Sequence, residues 1–390
     1  MKELYEKAIK YYQNNFGEDY IIVRAPGRIN LIGEHTDYNE GFVFPAAVGQ
    51  EIVFAIGKSK DNDSCAIISL DFNSRFDFRL SEIQPLNPHS WENYIIGVAS
   101  EIIQSGNQLQ GFNLVFTGNV PCGAGMSSSA ALECGTCYGL NKLFGLNLTR
   151  FKMIQLAQKA EHNFAGVKCG IMDQFASMMG IQGHALKLDC RKLEHEYFPI
   201  ELETHKLLLV NSNVTHDLVD SEYNERRLQC EQGVKILSNA FPDVYSLRDV
   251  EIEQLQKLSD EMPMMVYDRC KYVIEENRRV CDFASALRQY DMIKAGALLR
   301  EAQKGMKNEY EITCREIDFM SDFANSYNGI LGSRMMGGGF GGCTINLIKK
   351  GKEEDFIKKL HIAYSDKFKK EITPIQIDIA DGASLVQKSG

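Results

Sequence analysis

The chain has 390 residues, 44% hydrophobic and 24% charged, a balance that excludes disorder, collagen-like repeats and low-complexity scaffolds. Its 52 Asp and Glu outnumber 43 Lys and Arg, giving a net charge of −9. Such a surface repels phosphate backbones, so nucleic acid is excluded as a principal partner, and a phosphorylated ligand needs a local site.

The N-terminal segment MKELYEKAIKYYQNNFG reads as a charged amphipathic helix without the apolar core of a secretory signal. No run of 18 apolar residues follows anywhere, so the expectation is a soluble, cytoplasmic protein with no membrane partner. YIIVRA (20–25), FVFPAAV (42–48) and IVFAIG (52–57) are rich in β-branched and aromatic residues and read as strands, as do CAIISL and RFDFRL. A helix is predicted over about 91–103, a strand over GFNLVFTG (111–118), and helices over about 128–143, 149–164 and from Met172. HALKLD and KLLLVNS return to strand. From about 218 to 325 charges interleave with apolar positions at helical spacing, and CTINLI and PIQIDI close the chain as strands around one more helix. This is α+β organisation in two domains, 1–200 and 201–390, with a soft boundary near 195–215. The eleven cysteines are odd in number and scattered, which suits reduced thiols. One CxxC, Cys134 to Cys137, falls inside a predicted helix with no second pair and no nearby His, so metal or redox use is disfavoured.

Four segments carry chemistry. In RAPGRINLIGEHTDYNEGFVFP (24–45), Arg28, Glu34, His35 and Asp37 gather at a strand end between glycines. They suit the directional hydroxyls of a sugar and equally suit turn capping, while a metal is the weaker option because only one His is present. In TGNVPCGAGMSSSAALECG (117–135) a Gly/Ser-rich turn runs from strand to helix. Backbone amides there can converge on an anion at the positive end of the helix dipole, with Gly123 and Gly125 giving close approach and Ser127, Ser128 and Ser129 adding hydroxyls. The loop holds no Lys or Arg and does not match the Walker pattern, so its charge compensation must come from elsewhere, most simply Mg²⁺. In AEHNFAGVKCGIMDQFASMMG (160–180) Glu161 ends a helix and Asp173 opens the next, where local sequence favours a plain N-terminal charge. In SRMMGGGFGGCTINLI (333–348) the glycines fit GxGxxG, but a strand follows where a dinucleotide site needs a helix; a glycine lip over a ligand fits better.

Together these segments resemble the GHMP kinase superfamily. GRINLIGEHTDYNEGFVFP is similar to a sugar-binding signature of that family, GNVPCGAGMSSSAA to its phosphate loop and RMMGGGFGGC to its C-terminal glycine motif. CGIMDQFAS and NSNVTHDLVDSEYNERRLQC match in order and spacing, so the resemblance spans roughly 20–350. Only Cys122 and Met126 depart from the usual residues. The resemblance implies an N-terminal domain like ribosomal protein S5 domain 2, a ferredoxin-like C-terminal domain, and an active site between them. It implies ATP-dependent phosphorylation of a free hexose, galactose foremost, at the anomeric hydroxyl. Carried over by position, Glu34, His35, Thr36, Asp37 and Tyr223 would hold the sugar. Gly123, Ala124, Gly125, Met126, Ser127, Ser128 and Ser129 would wrap the ATP phosphates, with Ser69 touching the nucleotide. Ser129 and Glu161 would be the Mg²⁺ ligands, and Asp173 the catalytic base beside Arg28, overturning its local reading. The alternatives are an N-acetylgalactosamine or other hexose 1-kinase, and a non-catalytic sensor of sugar and ATP. The intact serine triplet and Asp173 argue against the sensor.

Overall fold

The computed structural model describes residues 2–87, 90–200, 202–214 and 219–388. Residues 215–218, part of the matched segment 211–230, lie outside that set. Among the described residues thirteen strands form three sheets: β1 (Ile21–Asn30), β2 (Phe42–Val43), β3 (Pro45–Lys58), β4 (Ser64–Ser69), β5 (Ser74–Arg79), β6 (Phe112–Gly118), β7 (His184–Asp189), β8 (Glu194–Pro199), β9 (His205–Asn211), β10 (Ile330–Met336), β11 (Cys343–Lys349), β12 (Thr373–Ile375) and β13 (Ser384–Lys388). The largest sheet has the order β13-β1-β3-β6-β4-β5; β10-β11-β9-β12 forms a second and β2-β7-β8 a third. All ladders are antiparallel except β4 with β6.

β1 and β3 are buried along almost their whole length, which is why both read as continuous apolar runs. The two strands expected over 42–48 and 52–57 are instead β2 and one long β3 that passes through Gly49. PIQIDI is strand only over Thr373–Ile375. The chain end then returns to the first sheet, where β13 pairs with β1. The segment expected to be helical from 218 resolves into Val219–Ala240, Ile252–Lys257, Met264–Arg288, Met292–Asn308 and Arg315–Ser326.

One contiguous apolar cluster joins both halves: Val23, Phe54 and Leu114 of the first sheet belong with Phe283, Leu299 and Ile345. At about 25 cal/mol per Å² of apolar surface removed from water, this shared core fixes the halves against each other and so fixes the cleft between them. All eleven cysteines are free thiols. Among the described residues no helix is long and apolar enough to cross a membrane.

Candidate active site

Strand ends, loops and helix starts from both halves of the chain converge on a cleft of about 630 Å³. The first comes from β1. Its ladder with β3 slips register between Pro26 and Arg28, and this bulge turns Arg28 toward the cleft. Gly27 is needed there, because a Cβ would sit 2.7 Å from the Met126 carbonyl. The Arg28 amide donates to that same carbonyl at 3.0 Å, fastening β1 to the Gly/Ser loop.

Arg28 meets Asp173 with two hydrogen bonds, Nε to Oδ1 at 2.7 Å and Nη2 to Oδ2 at 2.8 Å. Its third nitrogen donates to the Gly125 carbonyl, and the Ser127 hydroxyl donates to Asp173 Oδ2. Asp173 is the second residue of the helix Met172–Met179, so its carboxylate faces the amide end of the helix as well. Oδ2 is thus doubly occupied, while Oδ1 accepts one bond and keeps a lone pair for a hydroxyl.

Ser127 adopts φ 54°, ψ 60° immediately before the helix Ser128–Phe144. With Gly123 and Gly125 also at positive φ, the loop curls its backbone around the helix start. Gly125 lies against the glycine lip between β10 and β11, where its Cβ would be 2.7 Å from the Met336 carbonyl. Gly337 returns the constraint, with a Cβ position 2.9 Å from Gly125 Cα. Two loops from opposite halves of the chain touch backbone to backbone.

Glu34 is 1% exposed and accepts from Asn30 Nδ2 at 2.8 Å and from the Gly337 amide at 2.9 Å. It pairs with Arg334 Nη1 at 2.6 Å. Burial pushes its carboxyl up, and the Arg334 charge pulls it back. His35 holds φ 61° and sits among the rings of Tyr38, Tyr223 and Tyr310. Asp37 is pushed up to about 6, first by burial and next by the Asp173 charge, with the Tyr38 and Met172 amides opposing.

Glu161 opens a π-helical turn, Glu161–Ala165, that continues the helix Arg150–Ala160 and aims its carboxyl inward. Burial first and Asp173 next push it up to about 7, against hydrogen bonds from Cys169, Ser129 and Gln174. Gln174 Nε2 donates both to Glu161 at 2.7 Å and to Glu133 at 3.0 Å. Burial raises Glu133 well above the carboxylate range, and its Oε1 has no partner.

Most residues singled out in the sequence line the cleft: Arg28, Glu34, His35, Asp37, Gly123, Gly125, Met126, Ser127, Ser128, Ser129, Glu161, Asp173 and Tyr223. Ala124 is fully buried beneath the loop. Thr36 and Ser69 are not among the residues lining the cleft. The Thr36 hydroxyl is held between the carbonyls of Gly33 and Phe42, at 3.0 and 2.6 Å. Ser69 is fully buried at the end of β4, where it accepts the Phe72 amide at 3.2 Å and lies outside the cleft lining. Sequence reasoning missed Arg334, Glu133, Gln174, Tyr38 and Tyr310. Arg334, Gln174, Glu133 and Tyr38 lie inside the quoted motifs, which was the available signal, whereas Tyr310 lies outside them.

Among the described residues lining the cleft, Arg28 is the one Arg or Lys, against the carboxylates Glu34, Asp37, Glu161 and Asp173. An anionic ligand entering here needs a cation brought with it.

Comparisons with known proteins cover most of the chain. Residues 10–58 match the galactokinase galactose-binding signature, 93–181 the N-terminal domain of GHMP kinases, and 283–366 their C-terminal domain. The chain is 42% identical over 364 residues to a galactokinase of Thermotoga neapolitana, covering 93% of this chain and 99% of that one. A galactokinase of Chloroflexus aggregans is 38% identical over 94% of each. The crystal structure of Lactococcus lactis galactokinase complexed with galactose superposes with a TM-score of 0.94 at 31% identity, covering 98% of this chain and 99% of that chain. A mevalonate kinase superposes at 0.63 and 18% identity and shares the fold.

Proposed function

Because this chain belongs to the galactokinase family of GHMP kinases, we propose that its cleft transfers the γ-phosphoryl group of ATP to the anomeric hydroxyl of galactose. The products are ADP, galactose 1-phosphate and a proton. The observation that carries this reading is the join of Arg28 to both oxygens of Asp173 and to the Gly/Ser loop, which sets a hydroxyl acceptor beside a phosphate cradle.

Asp173 orients the attacking hydroxyl on the free lone pair of Oδ1 and takes its proton as the new P–O bond forms. A loose phosphoryl-transfer transition state asks little nucleophile activation until late, and an anomeric hydroxyl is more acidic than an ordinary alcohol. A carboxylate held by an arginine fork suffices for that. Arg28 keeps Asp173 in place and offers positive charge beside the moving group. Glu34, His35, Asp37 and Tyr223 bind the sugar, each hydroxyl meeting a partner of fixed direction.

Ser129 and Glu161 would hold Mg²⁺. Their donors are hard oxygens, and the surplus of carboxylates over the single Arg28 is what a divalent cation would offset. Among the described residues no three His, Cys, Asp or Glu side chains form a metal group by themselves, and Mg²⁺ asks for only one or two protein ligands beside phosphate oxygens and water. When bound it neutralises charge on the phosphate oxygens and orients them.

The test is ADP release from ATP and Mg²⁺ with a panel of free hexoses, followed by analysis for sugar 1-phosphate. Galactose should exceed glucose and N-acetylgalactosamine in kcat/KM, since each mispaired buried polar group costs about 1–3 kcal/mol. Equal rates on galactose and glucose would sink the substrate assignment. Absence of ADP release with every sugar would sink the enzyme reading.

A further inference from the structure

A chain of four side chains runs inward from the sugar end of the cleft. Nε2 of His35 lies 3.1 Å from the Gly338 carbonyl, and Nδ1 lies 2.7 Å from the Tyr38 hydroxyl. That hydroxyl is 2.7 Å from the hydroxyl of Tyr310, which is 3.2 Å from Cys230 Sγ. Tyr310 and Cys230 are fully buried, and His35 is 3% exposed. The Tyr223 and Tyr310 rings, centred 4.9 and 5.0 Å from the imidazole, hold its plane.

The protons of this chain can be ordered from one end. A carbonyl oxygen only accepts, so Nε2 must carry a hydrogen. Burial pushes the His35 ring down to about 4, so at neutral pH it is uncharged and Nδ1 is a bare acceptor. Tyr38 must then donate to Nδ1. With its single proton spent, the Tyr38 oxygen accepts from Tyr310, and Tyr310 in turn accepts the Cys230 thiol proton.

We propose that Tyr38, backed by Tyr310 and Cys230, is a positioning residue that acts together with the Gly338 carbonyl to hold His35 as its Nε2–H tautomer, so that the imidazole presents a donor to the cleft. The identity of the ligand rests on the galactose-kinase reading above; the proton order does not. Without sugar, Gly338 of the glycine lip takes that donor. A bound sugar must offer an acceptor oxygen there and displace the Gly338 carbonyl, which couples sugar entry to the lip. Glu34 ties the same lip through the Gly337 amide at 2.9 Å, so both sugar-side residues hold adjacent lip positions.

The experiment is nitrogen NMR of the ligand-free full chain carrying ¹⁵N-labelled histidine, with His35 assigned by the signals lost in His35→Gln. The expected spectrum shows a protonated Nε2 and an unprotonated Nδ1 at neutral pH. Tyr38→Phe keeps the ring and removes the donor at Nδ1, leaving the Gly338 carbonyl alone to hold the tautomer, so some Nδ1–H form should appear. It should also raise the galactose KM about tenfold with the ATP KM unchanged. Tyr310→Phe, one link further in, should raise it less. An Nδ1–H or cationic His35 in the wild type overturns the proposal. So does a folded Tyr38→Phe that leaves either the spectrum or the galactose KM as it was. If Tyr38→Phe does not fold, the wild-type spectrum alone decides. Failure of the wild type to phosphorylate galactose would overturn the functional reading while leaving the proton order standing.

Discussion

Arg28 and Asp173, 145 positions apart, share two hydrogen bonds of 2.7 and 2.8 Å, and every nitrogen of the Arg28 guanidinium is engaged by Asp173 or the Gly/Ser loop. The pair binds the first strand, the phosphate loop and the helix Met172–Met179 into one unit. Asp173→Asn keeps the volume and loses the proton acceptor, so kcat should fall ~10²–10⁴-fold with galactose affinity nearly intact. Calorimetry for galactose and ADP release for turnover read the two quantities separately. If more than about a tenth of kcat survived, Asp173 would return to the helix-start role that its local sequence suggests. Arg28→Lys should also be damaging, because an ammonium cannot reproduce the fork.

The Arg334–Glu34 pair makes a different prediction. Arg334 is fully buried and donates to the carbonyls of Asn30, Leu31 and Met335 as well as pairing with Glu34 at 2.6 Å. Replacing it with Met leaves Glu34 buried beside unfilled carbonyls. Breaking a buried pair from one side costs about 3–5 kcal/mol, so Arg334→Met should unfold at markedly lower denaturant. Arg334→Met/Glu34→Gln should recover part of that stability, since the uncompensated charge is gone, but not galactose binding. A double variant no more stable than the single one would show that the carbonyl contacts, not the ion pair, dominate.

How much of this was legible in the chain depends on distance along it. Runs such as YIIVRA and GFNLVFTG are buried on both faces, so their strands show in composition alone. β13 does not, because five residues at the chain end become a strand only by pairing with β1, more than 350 positions away. The motif residues were visible because glycines and serines cluster around them. Tyr310 lies outside every motif and Arg334 inside one showed no role, since each acquires its role from partners on other elements. Thr36 shows the converse, a residue inside the motif whose hydroxyl meets two backbone carbonyls that the sequence alone does not reveal.

The contact between the two glycine loops can be tested by crowding it. Gly125→Ala adds a Cβ 2.7 Å from the Met336 carbonyl at φ +70°, so it suffers both strain and collision. Gly145 at φ +64° has nothing within 4 Å, so Gly145→Ala suffers strain alone. Both should lose about 1–2 kcal/mol of stability from the left-handed backbone. Only Gly125→Ala should also raise the ATP KM, by about tenfold or more, as the loops part. Equal ATP KM values in the two variants would mean that the loop contact does not shape the nucleotide site.

Asp37, one of the proposed sugar partners, makes a prediction about pH. Its folded pKa is about 6, against roughly 3.9 in an unfolded chain. Between these values the folded protein holds a proton that the unfolded chain has released. This group therefore favours the fold below about pH 4, and its stabilising effect is lost as pH rises through about 6. Sugar hydroxyls donating to the carboxylate prefer the ionised form, which reverses the balance in the complex. Galactose binding should then release a proton below about pH 6, and its affinity should weaken toward tenfold per pH unit there. Calorimetry in buffers of different ionisation enthalpy counts that proton directly, and Asp37→Asn should abolish the release while weakening binding at every pH. Gly170 offers an independent check, because a Cβ there would fall 1.9 Å from Asp37 Oδ2. Gly170→Ala should displace the carboxylate and raise the galactose KM while leaving the ATP KM alone. A galactose affinity that stays flat down to about pH 5, with no proton released, would remove Asp37 from the sugar site.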